Sequence, residues 1–331
     1  MNVYAGDNKK MLNMLILEIL KEYTDTEHRL TQQEIIDLLK LNYGAECDRR
    51  SIRNNIRSLK DMGYEIATER GCYLVERDFE NAELRMLIDS VLFSKNLSGA
   101  QAKRLVKKLK GCGNRYFHAK VSHVSNLPEM FHSDNKQVMV VLDTLNDAIE
   151  EKKKVSFIYN CYGTDFKLHP RRDEPYIVNP YYMVANNGRY YLIGNYDKYD
   201  DLSHYRIDRI TSVTMLSEQV KPKKAVREFA RGWSLPKHMA EHIYMYSGDS
   251  VMVKFIADTG LMDELIDWFG RDFYIKKETE NKMLVTLKCN ERAMKYWALQ
   301  YGGHIEIKEP QSLREAVKAT VLDMAKKYAE G

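Results

Sequence analysis

Between Asp48 and Gly63 lie Arg49, Arg50, Arg53, Arg57 and Lys60, with the amides Asn54 and Asn55 among them. Guanidinium forks grip phosphates and guanine edges, and a carboxamide matches adenine, so these residue types on one surface suit the reading of duplex DNA. Ile52, Ile56 and Leu59 recur at helical spacing and predict a buried stripe on the adjoining face. Asp48 can cap the first turn and Gly63 can close the last. A charged amphipathic helix is commonly no more than a solvated face, so its neighbours must decide. A second chemical pattern is His238-Met-Ala-Glu241-His242, which matches the HxxEH string of inverted zinc peptidases. The string is short, a third metal ligand is not evident, and a linker helix after Pro236 is the expected reading.

The neighbours of the basic helix favour DNA. Thr31-Gln32-Gln33-Glu34 is a capping box opening a helix through Ile35, Ile36, Leu38 and Leu39, and Leu41–Glu46, with Gly44, supplies a turn. Met11–Tyr23 reads as a preceding helix. Tyr64–Ile66 and Cys72–Leu74 flank Arg70-Gly71 as a small hairpin. Helix, helix, turn, basic helix and wing compose a winged helix-turn-helix.

Residues 79 to about 150 carry helical periodicity, in Leu84, Leu87, Ile88, Val91 and Leu92, in a helix capped by Ser98, and in Val138–Ile149. From Ser90 to Pro128 there are eight basic residues (Lys95, Lys103, Arg104, Lys107, Lys108, Lys110, Arg115, Lys120) and no acid, a run that can hold phosphates or simply solvate a linker. Lys154 to about Leu216 breaks into short Tyr-, Ile- and Val-rich strands, with a hairpin turn at Asn186-Asn187-Gly188, and predicts a small barrel. Beyond Val251 the order βαββαβ plus a closing helix predicts a ferredoxin-like domain.

Composition is compatible with this organisation without revealing it. The 331 residues, 44% hydrophobic and 30% charged with net charge +4, suffice for two or three domains of an ordinary soluble protein. Five scattered cysteines without a CxxC pair argue against a disulfide framework or zinc cluster and fit a reducing cytoplasm. The first apolar stretch is interrupted by Asn13 and Glu18, so neither a signal peptide nor a membrane span is expected. Phosphate-binding glycine loops and a GxSxG elbow are missing from the sequence, so neither an enzyme nor a cofactor is expected.

Pro180-Tyr-Tyr-Met-Val-Ala-Asn-Asn-Gly-Arg-Tyr190-Tyr191-Leu192-Ile-Gly, followed by His204-Tyr205-Arg206-Ile207-Asp208-Arg209-Ile210, resembles the WYL domain of bacterial transcription regulators, with Tyr190 in place of the first aromatic of the Trp-Tyr-Leu triplet. Trp268-Phe-Gly270, Trp297-Ala-Leu-Gln-Tyr-Gly302 and Pro310-Gln-Ser-Leu-Arg-Glu315 are similar to the C-terminal extension of that family. The resemblance covers nearly the whole chain. It implies an α+β multidomain protein: a winged helix-turn-helix over 1–78, a helical linker over 79–135, a WYL domain of Sm-like or SH3-like β-barrel fold over 136–220, a linker over 221–248 and a ferredoxin-like extension over 249–331. It also implies a regulator whose WYL domain senses a nucleic-acid piece or nucleotide-like effector.

The residues suit such a ligand on their own chemistry. Two-residue alternation sends His204 and Arg206 to one face, and His169 and Arg171 likewise share a face. With Arg209, and with Tyr159, Tyr182 and Tyr191 to stack or hydrogen-bond, they form a candidate site for an anionic, base-containing ligand. The alternative is that Arg209 pairs with Asp208 or Asp173 and the tyrosines are strand packing. The candidate DNA contacts are Arg49, Arg50, Arg53, Asn54 and Arg57. Because one such helix reads few base pairs, a homodimer on double-stranded DNA is expected. A second function class is an accessory of a phage-defence or CRISPR system that binds single-stranded RNA. That would call for aromatic stacking platforms, whereas the first 78 residues hold only Tyr4, Tyr23, Tyr43, Tyr64 and Tyr73.

Overall fold

The computed structural model describes residues 11–120, 135 and 137–329. The chain is a mixed α+β protein of two compact units, Met1–Asp134 and Asn135–Gly331.

The first unit contains α1 (Leu12–Tyr23), α2 (Gln32–Tyr43), α3 (Arg49–Asp61), β1 (Ile66–Ala67), β2 (Tyr73–Leu74), α4 (Asn81–Phe93), α5 (Gly99–Lys110) and α6 (Arg115–Lys120). Ile16, Ile19 and Leu20 of α1 meet Ile35 and Leu39 of α2 and Ile52, Ile56 and Leu59 of α3 in one core. Each such side chain contributes about 1.5–3 kcal/mol by leaving water. The predicted start and stop signals operate. Thr31 and Glu34 exchange backbone and side-chain hydrogen bonds at the start of α2, and Gly44 ends it at φ +66°. Asp48 Oδ1 accepts the Ser51 amide at 2.6 Å. Past α3, Gly63 takes φ +99° and the Tyr64 amide donates back to Leu59 O at 3.1 Å.

The β1–β2 hairpin turns through Arg70 and Gly71, both at positive φ. A Cβ at Gly71 would stand 2.9 Å from Arg29 Cβ, so only glycine fits. The hairpin is tied down: Leu30 and Cys72 exchange backbone hydrogen bonds, Thr24 Oγ1 accepts the Leu74 amide at 3.2 Å, and Arg77 donates to Lys21 O and Thr24 O. Within the predicted helical linker, α4 and α5 pack through Leu84, Ile88 and Val106, and Lys103, Arg104, Lys107 and Lys108 lie exposed on α5. The stretch 121–128 of the basic run and the linker's end, 121–134, lie outside the described residues.

The second unit opens with α7 (Val138–Glu150), followed by β3 (Lys153–Tyr162), β4 (Leu168–Pro170), β5 (Tyr176–Asn186), β6 (Arg189–Tyr196), β7 (Leu202–Arg206) and β8 (Ile210–Gln219). The antiparallel order is β4-β3-β5-β6-β7, with β8 paired on β3. Where a small barrel was expected the strands form a half-barrel sheet: β7 pairs with β6, β8 crosses to β3, and a single 3-10 turn, Ile207–Arg209, joins them. Val141, Leu145 and Ala148 of α7 share one buried core with Val155, Phe157, Val178, Leu192 and Ile210 of the sheet. The predicted hairpin turn has Asn187 and Gly188 both at positive φ between paired Asn186 and Arg189, the signature of a primed turn.

After α8 (Leu235–Glu241) come β9 (Ser250–Asp258), α9 (Met262–Phe269), β10 (Tyr274–Lys277), β11 (Lys282–Asn290), α10 (Glu291–Gln300), β12 (Ile305–Glu309) and α11 (Gln311–Ala329). Their sheet runs β10-β11-β9-β12. Fully buried Trp297 packs against Phe255 and Phe269 at its centre.

Candidate nucleic-acid interface and anion site

On α3 the buried stripe of Ile52, Ile56 and Leu59 leaves Arg49, Arg50, Arg53, Asn54, Arg57 and Lys60 exposed. Arg49 Nη2 donates to Gln33 Oε1 at 3.2 Å, which joins α3 to the start of α2. Asn55, half-buried, donates to Ser51 O and so is turned inward, unlike Asn54. Arg53, Arg57 and Lys60 border a shallow depression with Gln32 and Thr68. The arrangement offers several exposed cations on one helix face.

The second candidate site gathers around Asp208, only 2% exposed. Arg206 grips its carboxylate with two bonds, Nε to Oδ1 at 3.1 Å and Nη2 to Oδ2 at 2.6 Å, and Arg189 Nη1 reaches Oδ2 at 2.9 Å. The corner that carries Asp208 is fixed by two buried amides. Asn135 Nδ2 donates to Asp208 O and Ile210 O, and Asn160 Nδ2 donates to Arg209 O. Arg209 Nε is buried there without a hydrogen-bond partner. Tyr159 Oη accepts the Arg206 amide at 3.1 Å, and Tyr191 stands opposite Arg206 in the β6–β7 register.

Three guanidinium groups against one carboxylate leave the cluster with an excess of two positive charges. Burial lowers the pKa of Arg206, but the bonds to Asp208 outweigh that and the net shift is upward. Burial, then Arg206, lower that of Arg189. Burial raises both Tyr159 and Tyr191, so their hydroxyls stay protonated hydrogen-bonding groups.

Not every expected residue converges. His169 is exposed and turns to Asp165 at 3.0 Å, and exposed Arg171 is held through its amide by Tyr159 O. Tyr182 stacks on Trp233 and carries Lys223 Nζ 4.1 Å above its ring. His204 shares the face of Arg206 by alternation, yet its Nε2 lies 2.8 Å from His238 Nε2, in a stack completed by His242. Burial, then the neighbouring histidines, lower His204, and His238 falls to about 3. The rings are therefore neutral near pH 7. His238 and His242 of the HxxEH string stack at 4.0 Å, and among the described residues no group of three or more His, Cys, Asp and Glu is placed to hold a metal ion. Sequence reasoning missed Arg189. Its place as the first residue after an Asn-Gly turn, directly before the tyrosine pair, was the available signal.

Comparison with known proteins locates a WYL domain at residues 140–215 and a WCX domain at residues 251–325. The chain thus carries a WYL domain followed by a WCX domain. It is 21% identical to the uncharacterized HTH-type transcriptional regulator YobV of Bacillus subtilis (strain 168), over 97% of this chain and 98% of that one. Among solved structures it is similar to the proteasome accessory factor B/C (PafBC) of Arthrobacter aurescens, 15% identical with TM-score 0.29, covering 94% of this chain but 47% of that one. A CRISPR Cas-related protein is also 15% identical, with TM-score 0.40, over 75% of this chain and 72% of its own. Among the described residues no helix is long and apolar enough to cross a membrane.

Proposed function

We propose that the chain is a cytoplasmic, homodimeric, non-enzymatic transcription regulator that reads duplex DNA with α3 and senses an anionic nucleic-acid or nucleotide-like ligand at the Arg189–Arg206–Arg209 corner. On this reading α1–α3 with the β1–β2 hairpin form a winged helix-turn-helix, the half-barrel is the Sm-like WYL module, and β9–α11 is a ferredoxin-like extension. One observation carries the DNA reading. α3 buries its whole apolar stripe and leaves Arg49, Arg50, Arg53, Asn54 and Arg57 exposed together. The ligand reading rests on the excess of cations around buried Asp208 and on the unbonded Arg209 Nε. An anion can take the donors that Asp208 leaves over, with Tyr191 beside them.

Selection of genomic DNA fragments by the purified protein, repeated with short single-stranded oligonucleotides and nucleotides, tests both halves. The expected result is an enriched duplex sequence whose occupancy changes with added ligand. Arg206→Ala should lose that response while retaining duplex affinity. Preference for single-stranded RNA over every duplex would overturn the DNA reading in favour of an RNA-binding accessory. Because a ligand shifts DNA affinity only by binding one conformation better, unchanged occupancy across a broad panel would remove the sensor assignment.

A further inference from the structure

Away from the Asp208 corner, the second unit holds a cleft of about 130 Å³ where the segment after β8 meets the start of β9 and the middle of β11. Four of its lining side chains carry a buried polar atom without a hydrogen-bond partner: Glu228 Oε2, Trp233 Nε1, Glu241 Oε1 and Ser250 Oγ. Glu241 as a whole is 8% exposed. Its Oε1 stands 3.1 Å from Lys288 Nζ, an ion pair that lacks hydrogen-bond geometry. Buried polar atoms are nearly always satisfied, so the other three, with no such ion pair, point to a partner outside the chain.

The walls are already fixed. Glu228 Oε1 accepts the Leu202 amide at 3.0 Å, which leaves the other oxygen for the cleft. Trp233 is clamped between Tyr182, stacked at 4.9 Å, and Phe229, edge-on at 4.9 Å. Donor and acceptor types then define the ligand. The free Glu228 oxygen asks for a donor and, with the Glu241 carboxylate also on the cleft, excludes a plain anion. The indole N–H, the Ser250 hydroxyl and the Lys288 ammonium ask for an acceptor, which a plain amine lacks. A metal ion would leave the indole unanswered, and among the described residues no metal-ligating group is assembled. At about 30 Å³ per water molecule, the volume is that of only a few waters and limits the ligand to a few heavy atoms.

We propose that this cleft binds a small zwitterion of the amino-acid class, its ammonium group between Glu228 and Glu241 and its carboxylate on Trp233 Nε1 and Ser250 Oγ. The lining comes from the segment between β8 and β9, α8 included, and from β9 and β11, so an occupant would join that connecting segment to the second sheet. The inference stands apart from the nucleic-acid reading, because it uses none of the arginines around Asp208.

The test is calorimetric and fluorescence titration of the full chain with each common L-amino acid, with the matching amines that lack the carboxylate, and with acetate and propionate. A small amino acid should bind, perturb tryptophan emission and raise the melting temperature, whereas its amine and the simple carboxylates should bind at least about tenfold more weakly. Glu241→Gln and Ser250→Ala should each weaken binding by about tenfold, and Trp233→Phe should remove the emission change. Ser250→Ala removes only a hydroxyl and decides the matter should Glu241→Gln fail to fold. No binding by any amino acid at millimolar concentration, equal binding of the amine or the carboxylate alone, or undiminished binding by Ser250→Ala would overturn the proposal.

Discussion

The arginines of α3 and those around Asp208 are the same chemical group in opposite physical situations. On α3 they project from a helix whose stability comes from Ile52, Ile56 and Leu59, so their charge is spare. At the β7–β8 corner, Arg206 and Arg189 are bonded to a carboxylate 2% exposed, and the backbone beneath is held by Asn135 and Asn160. Exposed cations gain affinity for a polyanion by releasing counterions, which depends steeply on salt. Fixed cations lose little side-chain entropy on binding and favour a ligand of definite shape. The contrast suits a long regular polymer at α3 and a small, discriminated anion at the Asp208 corner.

The largest expected effect breaks the contrast from the α3 side. Replacing Arg49, Arg53 and Arg57 together by Ala should weaken duplex binding by at least about 3 kcal/mol, and each phosphate contact removed should lower the salt slope by about one. The melting temperature should hardly move, since such surface changes stay within about 0.5 kcal/mol. Anisotropy titrations across a salt series check this. Unchanged affinity in a folded variant would end the claim that α3 meets DNA.

Next in size is the acid response of the second unit. His204, His238 and His242 all have pKa values below the ordinary 6.5, with His238 at about 3. The unfolded chain therefore binds their protons first. Their contribution is complete above about pH 6.5 and is lost as pH falls from there toward 3, at up to about 1.4 kcal/mol per pH unit for each histidine titrating only when unfolded. Calorimetric melting from neutral to acid pH should show that fall, and His238→Gln should flatten it. An equally steep profile in the variant would mean that carboxylates alone carry the response.

Asp208→Asn sharpens the comparison at the corner. It keeps the shape and removes the charge that Arg206 and Arg189 share, and should cost about 1–3 kcal/mol of stability in denaturant titrations. No loss would mean that these arginines are as loosely held as those of α3. The smallest effect concerns the scaffold: Thr31→Ala removes the cap of α2 and should cost about 1 kcal/mol without changing the salt slope of DNA binding.

Local signals were legible because they are local. The Thr31–Glu34 capping box, the Asp48 cap, the Gly63 stop, the Asn187-Gly188 turn and the stripe of α3 depend on residues within a few positions of each other, and each stands where the sequence reading put it. The series of strands and helices from β9 to α11 was legible in the switches of periodicity, whereas its strand order, β10-β11-β9-β12, came from the structure. What alternation could not tell was which same-face residues would be partners. His204 and Arg206 do share a face, but His204 meets His238, 34 residues away, while Arg206 closes on Asp208 two residues on.

The sequence by itself determined the helices, their ends, the hairpins and the surface character of α3, because these follow from propensity, capping and periodicity. Only the tertiary structure decided that the barrel pattern forms a half-barrel with a 3-10 corner, that Arg189 joins Arg206 at Asp208, that His169 stays apart, and that Glu228, Trp233, Glu241 and Ser250 enclose one cleft. Those outcomes depend on burial and on contacts across tens of residues. Neither leaves a mark in the spacing of the chain.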